Sequence, residues 1–491
     1  MTTLNLEDRM RLFDQLLDTT GLDHKDYQRK GVEWCLNNEL REKPPCNVRG
    51  GFLADEMGLG KTIMMIGVFY ANPLSKTLIV LPPVLIDQWA LQIYQTLGLQ
   101  PLVYHGKNKK NTTIQQLTDA PIVITSYGAI TLTKKQLKEK HVIPLHQVQW
   151  NRIVFDEAHH LRNGTTATST SAKLLNGDIR WLVSGTPVQN SKKDFYSLCS
   201  SLGLPASYYT DTNTLPHLAK NFILKRTKKQ VGIIIPDLNL TSNSVRWTNV
   251  KEMQLSEEIH SALSFSRVSP NKVGKFVCQL PGDKGHVLML MLKAKQSCIL
   301  PSLMKHTLLC DEEDTYKEAF EHSSKLDSIL NTIVERKDNG CGKLVFCHYR
   351  KEIDEIAARL VKQGLRVAKF DGRTPFSKRQ EILTQPNDVL ILQIQTGCEG
   401  LNLQQNYSEI YFVSPHWNPA VEDQAIARCH RIGQLKPVFV HRFEMSRFDN
   451  DDNQLIDTMT IDSYTSFKQD VKRDVARETL NGSDELVKEV F

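Results

Sequence analysis

The sequence predicts an α/β fold in two lobes, each a parallel sheet with crossover helices, plus a mostly helical insertion between them. Two blocks of short, β-branched apolar runs alternate with helical stretches, the rhythm of parallel strands and their crossovers. The runs are almost continuously apolar, which suits strands covered on both faces. The chain's 491 residues also leave room for several domains at roughly 150 residues each.

In chain order, residues 1–20 read as an N-terminal extension and about 20–235 as the first lobe. Its candidate strands are TLIVL (77–81), PIVITSY (121–127), RIVFDEA (152–158) and RWLVSG (180–185). Residues 240–320 lack the rhythm, and HVLMLMLKAKQSC (286–298) reads as a helix within that insertion. The second lobe, about 320–465, offers KLVFCHY (343–349), RVAKFDG (366–372), VLILQI (389–394), EIYFVS (409–414) and PVFVHRF (437–443). Residues 466–491 read as a charged amphipathic helix with a frayed tail.

Composition narrows the class. Hydrophobic residues make up 40% and charged residues 24%, an ordinary globular balance. The formal net charge of +6 permits a nucleic-acid partner without requiring one. The ten cysteines form no C-x-x-C pair, which argues against a zinc module or disulfide framework and for a reducing compartment. No stretch approaches the ~18 consecutive apolar residues of a membrane helix, and the polar N-terminus has no signal-peptide core. The expectation is a soluble intracellular protein with no membrane partner.

The stretch GGFLADEMGLGKT (50–62) carries the first chemistry. A phosphate loop needs glycines so that backbone N–H groups can surround phosphate oxygens. It needs a helix N-terminus behind them. It also needs a lysine for the β/γ-phosphates and a hydroxyl for Mg²⁺. Gly58, Gly60, Lys61 and Thr62 supply these, and TIMMIGVFYANP continues as a helix ending near Pro73. The general pattern places a glycine where Asp55 stands, so a glycine turn with an incidental lysine remains open from the loop alone. The second feature is DEAHH (156–160), directly after the apolar run RIVF. Ligands gather at the C-terminal ends of parallel strands. There Asp156 suits Mg²⁺, and Glu157 suits orienting and deprotonating water.

DEMGLGKT (55–62) with DEAHH resembles the Snf2 family of superfamily 2 helicase-like ATPases, in which Asp55 is the usual residue. The resemblance implies two RecA-like lobes, ATP and Mg²⁺. Gln28 of DYQ then matches the residue that reads adenine. LIVLPPVLIDQW (78–89, with Trp89) and VITSYGAI (123–130) resemble motifs Ia and Ib. WLVSGTPVQNS (181–191) resembles motif III, which relays nucleotide state to the DNA side through Ser184, Thr186, Gln189 and Asn190. FILKRTKKQV (222–231) resembles the segment closing the first lobe, with Arg226 at the basic position.

In the second lobe, EDQAIARCHRIGQ (422–434) resembles motif VI. Arg428 and Arg431, three apart, would share one face of a helix and act on the γ-phosphate, with Gln424 on the ATP side. QTGCEGLNLQ (395–404) resembles motif V through Thr396, Gly400 and Asn402, although Cys398 stands where the family commonly has glycine. Trp417 belongs to a family-like W-N-P run. LKAKQSCILPSL (292–303) and SSKLDSIL (323–330) resemble the Rad5 and transcription-termination-factor-2 branch, without its RING finger. The implied partner is duplex DNA held by its backbone, with nucleosomes or transcription and repair proteins as further candidates. The implied activity is a DNA-dependent ATPase and translocase that remodels or displaces protein–DNA complexes. A strand-separating helicase and an ATP-gated binding platform are the alternatives. The implied location is the nucleus, or a viral factory for a viral chain.

Overall fold

The computed structural model describes residues 4–139, 143–185, 192–211, 213–261, 263, 284–305, 317–385, 387–397, 401–448 and 459–487. The chain divides into two compact units, one comprising Met1–Ile234 together with Lys472–Phe491 and one spanning Ile235–Val471.

The first unit is built on seven parallel strands: β1 (Arg49–Leu53), β2 (Thr77–Leu81), β3 (Leu102–Tyr104), β4 (Ile122–Ser126), β5 (Trp150–Asp156), β6 (Gly177–Val183) and β7 (Ile223–Leu224). They lie in the order β3-β4-β2-β5-β6-β1-β7. Alternation along β2 sends Leu78 and Val80 into one core and Ile79 and Leu81 into the other. Two covered faces are why the run reads as unbroken apolar sequence. The apolar stretch after the loop forms the helix Lys61–Ala71. Strands β1, β3 and β7 were not among the expected ones. RGGFL carries two glycines and too few apolar side chains to stand out, and β3 and β7 are three and two residues long.

The second unit has six parallel strands: β8 (Leu238–Val245), β9 (Gly342–Cys347), β10 (Val367–Phe370), β11 (Val389–Gln393), β12 (Tyr407–Phe412) and β13 (Val438–Met445), ordered β10-β11-β9-β12-β13-β8. Leu344 and Phe346 face one core while Val345 and Cys347 face the other. The first residues of the expected mostly helical insertion, 240–245, belong to a strand. β8 pairs with β13 along its whole length, from Leu238 against Val438 to Val245 against Met445. Its sequence, LNLTSNSV, is polar because the strand lies at the sheet edge and is largely exposed. The helices Val250–Ser261 and Lys284–Ile299 follow, and Ala294, Cys298 and Ile299 join the core that contains Val345. The C-terminal helix runs over Ile461–Val487, starting before residue 466. No helix among the described residues is long and apolar enough to cross a membrane.

Candidate nucleotide site

In the first unit, the neighbouring strands β5, β6 and β1 each end in one of the sequence signatures. β1 runs into the loop 54–60, β5 ends at Asp156, and β6 runs into Ser184 and Gly185.

The loop folds as its glycines require. Gly58 and Gly60 have φ of 94° and 81°, a region that side chains other than glycine rarely enter. A Cβ on Gly60 would lie 2.3 Å from the Gln28 amide. That amide donates to the Leu59 carbonyl at 3.1 Å. Gln28 is therefore fixed against the loop from the helix Asp26–Leu40. Lys61 opens the next helix and turns back over the loop. Its Nζ donates to the carbonyls of Asp55 (2.7 Å) and Glu56 (3.4 Å). Gly185 approaches from β6, since a Cβ there would sit 2.7 Å from Met57 Cγ and 3.4 Å from Lys61 Nζ. Ser184 is buried, and its N–H donates to the Leu53 carbonyl at 3.2 Å. Thr62 lies in the first turn of the helix Lys61–Ala71 and is half-buried.

Asp156 stands at the end of β5. Trp89 Nε1 donates to its Oδ2 at 2.7 Å, and the Glu157 N–H donates to its Oδ1 at 3.0 Å. The Tyr127 hydroxyl donates to its backbone carbonyl at 2.8 Å. Thus Trp89 of motif Ia and Tyr127 of motif Ib both hold the acidic strand end. Burial, and then the neighbouring Glu157 charge, push the Asp156 carboxyl up to about 7, against the pull of those two donors. Glu157 has φ 50° and ψ 51°, left-handed backbone for a non-glycine residue. Such a conformation costs about 1–3 kcal/mol and is found mainly where surrounding structure imposes it, often at functional sites. Its Oε2 lies 3.3 Å from His159 Nδ1. His160 stacks between Tyr127, at 4.9 Å, and His159, at 4.8 Å. The donor set fits a divalent cation: two acids stand together at the strand end, one of them a buried carboxyl that the other's charge pushes up, and Mg²⁺ commonly takes one or two carboxylates plus substrate phosphates. Asp156 and the Thr62 hydroxyl are the residues that would hold it.

The second unit corrects one expectation. The helix Pro419–Ile426 stops before either arginine. Residues 428–434 instead continue through tight turns, with Arg428 N–H on the Ala425 carbonyl (3.1 Å) and Gln434 N–H on the Arg431 carbonyl (3.1 Å). The Gln434 amide locks those turns by donating to the carbonyls of Tyr407 (3.1 Å) and Cys429 (3.3 Å). Leu403 N–H donates to the Arg428 carbonyl at 3.1 Å, and Arg431 Nη1 donates to Asn402 Oδ1, so motifs V and VI form one assembly. Both arginines are half-buried, and their Nε atoms are buried without a hydrogen-bond partner. Burial, and then the charge of Arg428, lower the pKa of Arg431. Two crowded guanidiniums with donors to spare suit an anion. Gln424 is buried within this unit at 3% exposure. Trp417 is 41% exposed, its ring 6.1 Å from that of Tyr464. Thr396 lies in the short helix Ile394–Gly397. Thr186, Gln189, Asn190 and Gly400 lie outside the described residues.

Several residues that matter to the loop carried no sequence signal of their role. Asp55 is fully buried and forms a bidentate pair with Arg226, Nη2 to Oδ2 at 2.5 Å and Nε to Oδ1 at 3.1 Å. Glu56 pairs with Lys228 Nζ at 2.9 Å. The run KRTKK (225–229) reads from sequence as a basic tract, and only its alternating partners reveal two internal ion pairs.

Comparison with known proteins agrees with this layout. A family model described as the SNF2-related domain matches residues 27–337, and one described as the helicase conserved C-terminal domain matches residues 324–433. The chain is 28% identical over 438 residues to the "Probable global transactivator" of Orgyia pseudotsugata multicapsid polyhedrosis virus, covering 85% of each. It is 23% identical over 562 residues to "DNA repair protein RAD5B" of Arabidopsis thaliana, covering 80% of this chain and 43% of that protein. The chain thus spans most of the viral relative and less than half of the plant one. The Pyrococcus furiosus Hef helicase domain is 16% identical and shares the fold at a TM-score of 0.50, covering 86% of this chain and 95% of that one. The first family model covers more than half of the chain, which therefore belongs to the Snf2 family of helicase-like ATPases.

Proposed function

We propose that this chain hydrolyses ATP when bound to duplex DNA and uses the cycle to move along it, displacing or remodelling protein–DNA complexes. The observation that carries the reading is the convergence of the loop, Gln28, Gly185 and the Asp156–Glu157 pair at three adjacent strand ends. Gln28 would contact the adenine edge. The N–H groups from Gly58 to Thr62 would surround the phosphates, and Lys61 would exchange its backbone acceptors for phosphate oxygens. Mg²⁺, held by Thr62 and Asp156, would neutralise charge on the phosphates. Glu157 would orient and deprotonate the attacking water. Arg428 and Arg431 would stabilise charge developing on the transferred phosphoryl group, a contribution of about 10³–10⁵ in rate in related chemistry.

The names of relatives support the DNA side of this reading, one of them a DNA repair protein. Phosphate contacts give such a motor grip without sequence preference. Ser184, Thr186, Gln189, Asn190, Thr396, Gly400, Asn402 and Trp417 are the residues proposed for coupling and the DNA side. The proposed location is the nucleus, as for its chromatin and repair relatives, or a viral or cytoplasmic factory for a chain of viral origin. Translocation and strand separation are distinguished by pairing two substrates. The proposal expects ATP-dependent displacement of a third strand from a DNA triplex, with a forked duplex left paired. Unwinding of the fork would favour the helicase alternative. ATP-dependent activity on neither substrate would remove the motor reading.

A further inference from the structure

Building on that reading of the loop as the ATP site, we infer that Arg226 and Lys228 are positioning residues that link nucleotide occupancy of the loop to the chain leaving the first unit. β7 pairs with the end of β1, Phe52 against Ile223 and Leu53 against Leu224. The pairing continues past both strands. Ala54 N–H donates to the Leu224 carbonyl at 2.7 Å, and Glu56 N–H donates to the Arg226 carbonyl at 2.9 Å. The entry to the loop and the segment 224–228 thus run side by side.

Side chains lock that pairing twice. Asp55 holds the Arg226 guanidinium, as described above, and also accepts the Arg226 N–H at 3.0 Å. Glu56 accepts the Lys228 N–H at 2.8 Å and pairs with its ammonium. Arg226 reaches further. Its Nη1 donates to the Tyr27 carbonyl at 2.6 Å, and its guanidinium lies 5.9 Å from the Tyr27 ring centre. A Cβ at Gly31 would come within 2.4 Å of Met64 Sδ and 2.8 Å of Arg226 Nη2, so that glycine makes room for both side chains. One side chain therefore touches the residue beside Gln28, the loop entry and its own exit segment.

Lys61 acts on the same two residues from the other side, because its ammonium holds the carbonyls of Asp55 and Glu56. A phosphate that draws Lys61 away removes that restraint from the two peptides whose side chains grip Arg226 and Lys228. The second unit begins at Ile235, seven residues after Lys228. A change at the loop therefore has a short covalent route toward the second unit. Ion pairs that served stability alone would give no nucleotide-dependent response in the segment.

The test is amide hydrogen exchange on the full chain with and without Mg²⁺ and a non-hydrolysable ATP analogue, in wild type and in Lys228→Met. Lys228→Met removes one of the two ion pairs and spares the buried Arg226 pair, so the fold has its main anchor. The expected result is faster exchange across residues 223–230, by about threefold or more, on nucleotide binding in wild type. In Lys228→Met that nucleotide-dependent rise is lost, while the analogue binds within about threefold of wild-type affinity. Binding to wild type without any change across 223–230, or a Lys228→Met response equal to wild type, overturns the inference alone. Failure of wild type to bind nucleotide overturns the ATP-site reading and this inference together.

Discussion

Asp55 shows how a residue's meaning depends on its partner. Against the general phosphate-loop pattern it replaces a glycine, yet its carboxylate is fully buried on the Arg226 guanidinium and the Arg226 N–H. Breaking a buried ion pair by removing one partner costs about 3–5 kcal/mol, because the other charge is left uncompensated. Asp55→Gly therefore restores the general pattern and lowers stability by about that amount, with no gain in ATP affinity. Chemical denaturation and nucleotide titration on the same variant check both halves. Arg428 and Arg431 are the opposite case, two guanidiniums without an ion-pair partner among the described residues. Arg431→Ala is expected to lower the rate of ATP hydrolysis by about 10³-fold or more while analogue binding changes little. A matched loss of binding in titration would assign the arginine to ground-state affinity instead. The loop glycines, the lysine and the acid pair were legible because their chemistry demands those residue types. The Asp55–Arg226 pair was not, because its partners are 171 residues apart and nothing local marks them.

At the scale of elements, legibility followed burial. The runs in β2, β4, β5, β9, β11 and β12 are apolar on both faces and were visible as such. β8 escaped because an exposed edge strand can be polar, and it is recognisable only through its pairing with β13. The motif VI arginines leave the helix because the chain turns tightly after Ile426 and is held by Gln434, contacts that residue spacing does not encode. The start of the C-terminal helix depends on His260, at the end of the helix Val250–Ser261. Its Nδ1 lies 2.6 Å from the Ser256 carbonyl, and its Nε2 accepts the Ile461 N–H at 2.9 Å. That pair of bonds needs the neutral ring, and burial lowers its pKa to about 4. A histidine depressed from an ordinary value of about 6.5 stabilises the fold above that value and loses the contribution as pH falls toward 4. The expected loss between about pH 6.5 and 4 is on the order of 3 kcal/mol. Denaturation curves across that range should slope less steeply in His260→Gln than in wild type, and equal slopes would remove His260 as the cause.

For the whole molecule, two parallel sheets follow from one sequence rhythm repeated, and the candidate chemistry sits where parallel strands end. The first unit gathers its signatures on β5, β6 and β1 because those strands are neighbours in the sheet, although the loop precedes the other two signatures by about a hundred residues or more in sequence. Order along the chain identified the family, while strand order explains why the signatures meet. The segment 223–229 adds a feature that motif reading passed over, an exit strand stitched to the loop it follows in space. The central claim is that this site turns over ATP in response to duplex DNA. Steady-state ATP hydrolysis by the full chain, measured with and without duplex DNA, tests it most directly. The account predicts a rise of about tenfold or more with duplex DNA and loss of nearly all turnover in Glu157→Gln. A wild-type rate that is the same with and without DNA would contradict it.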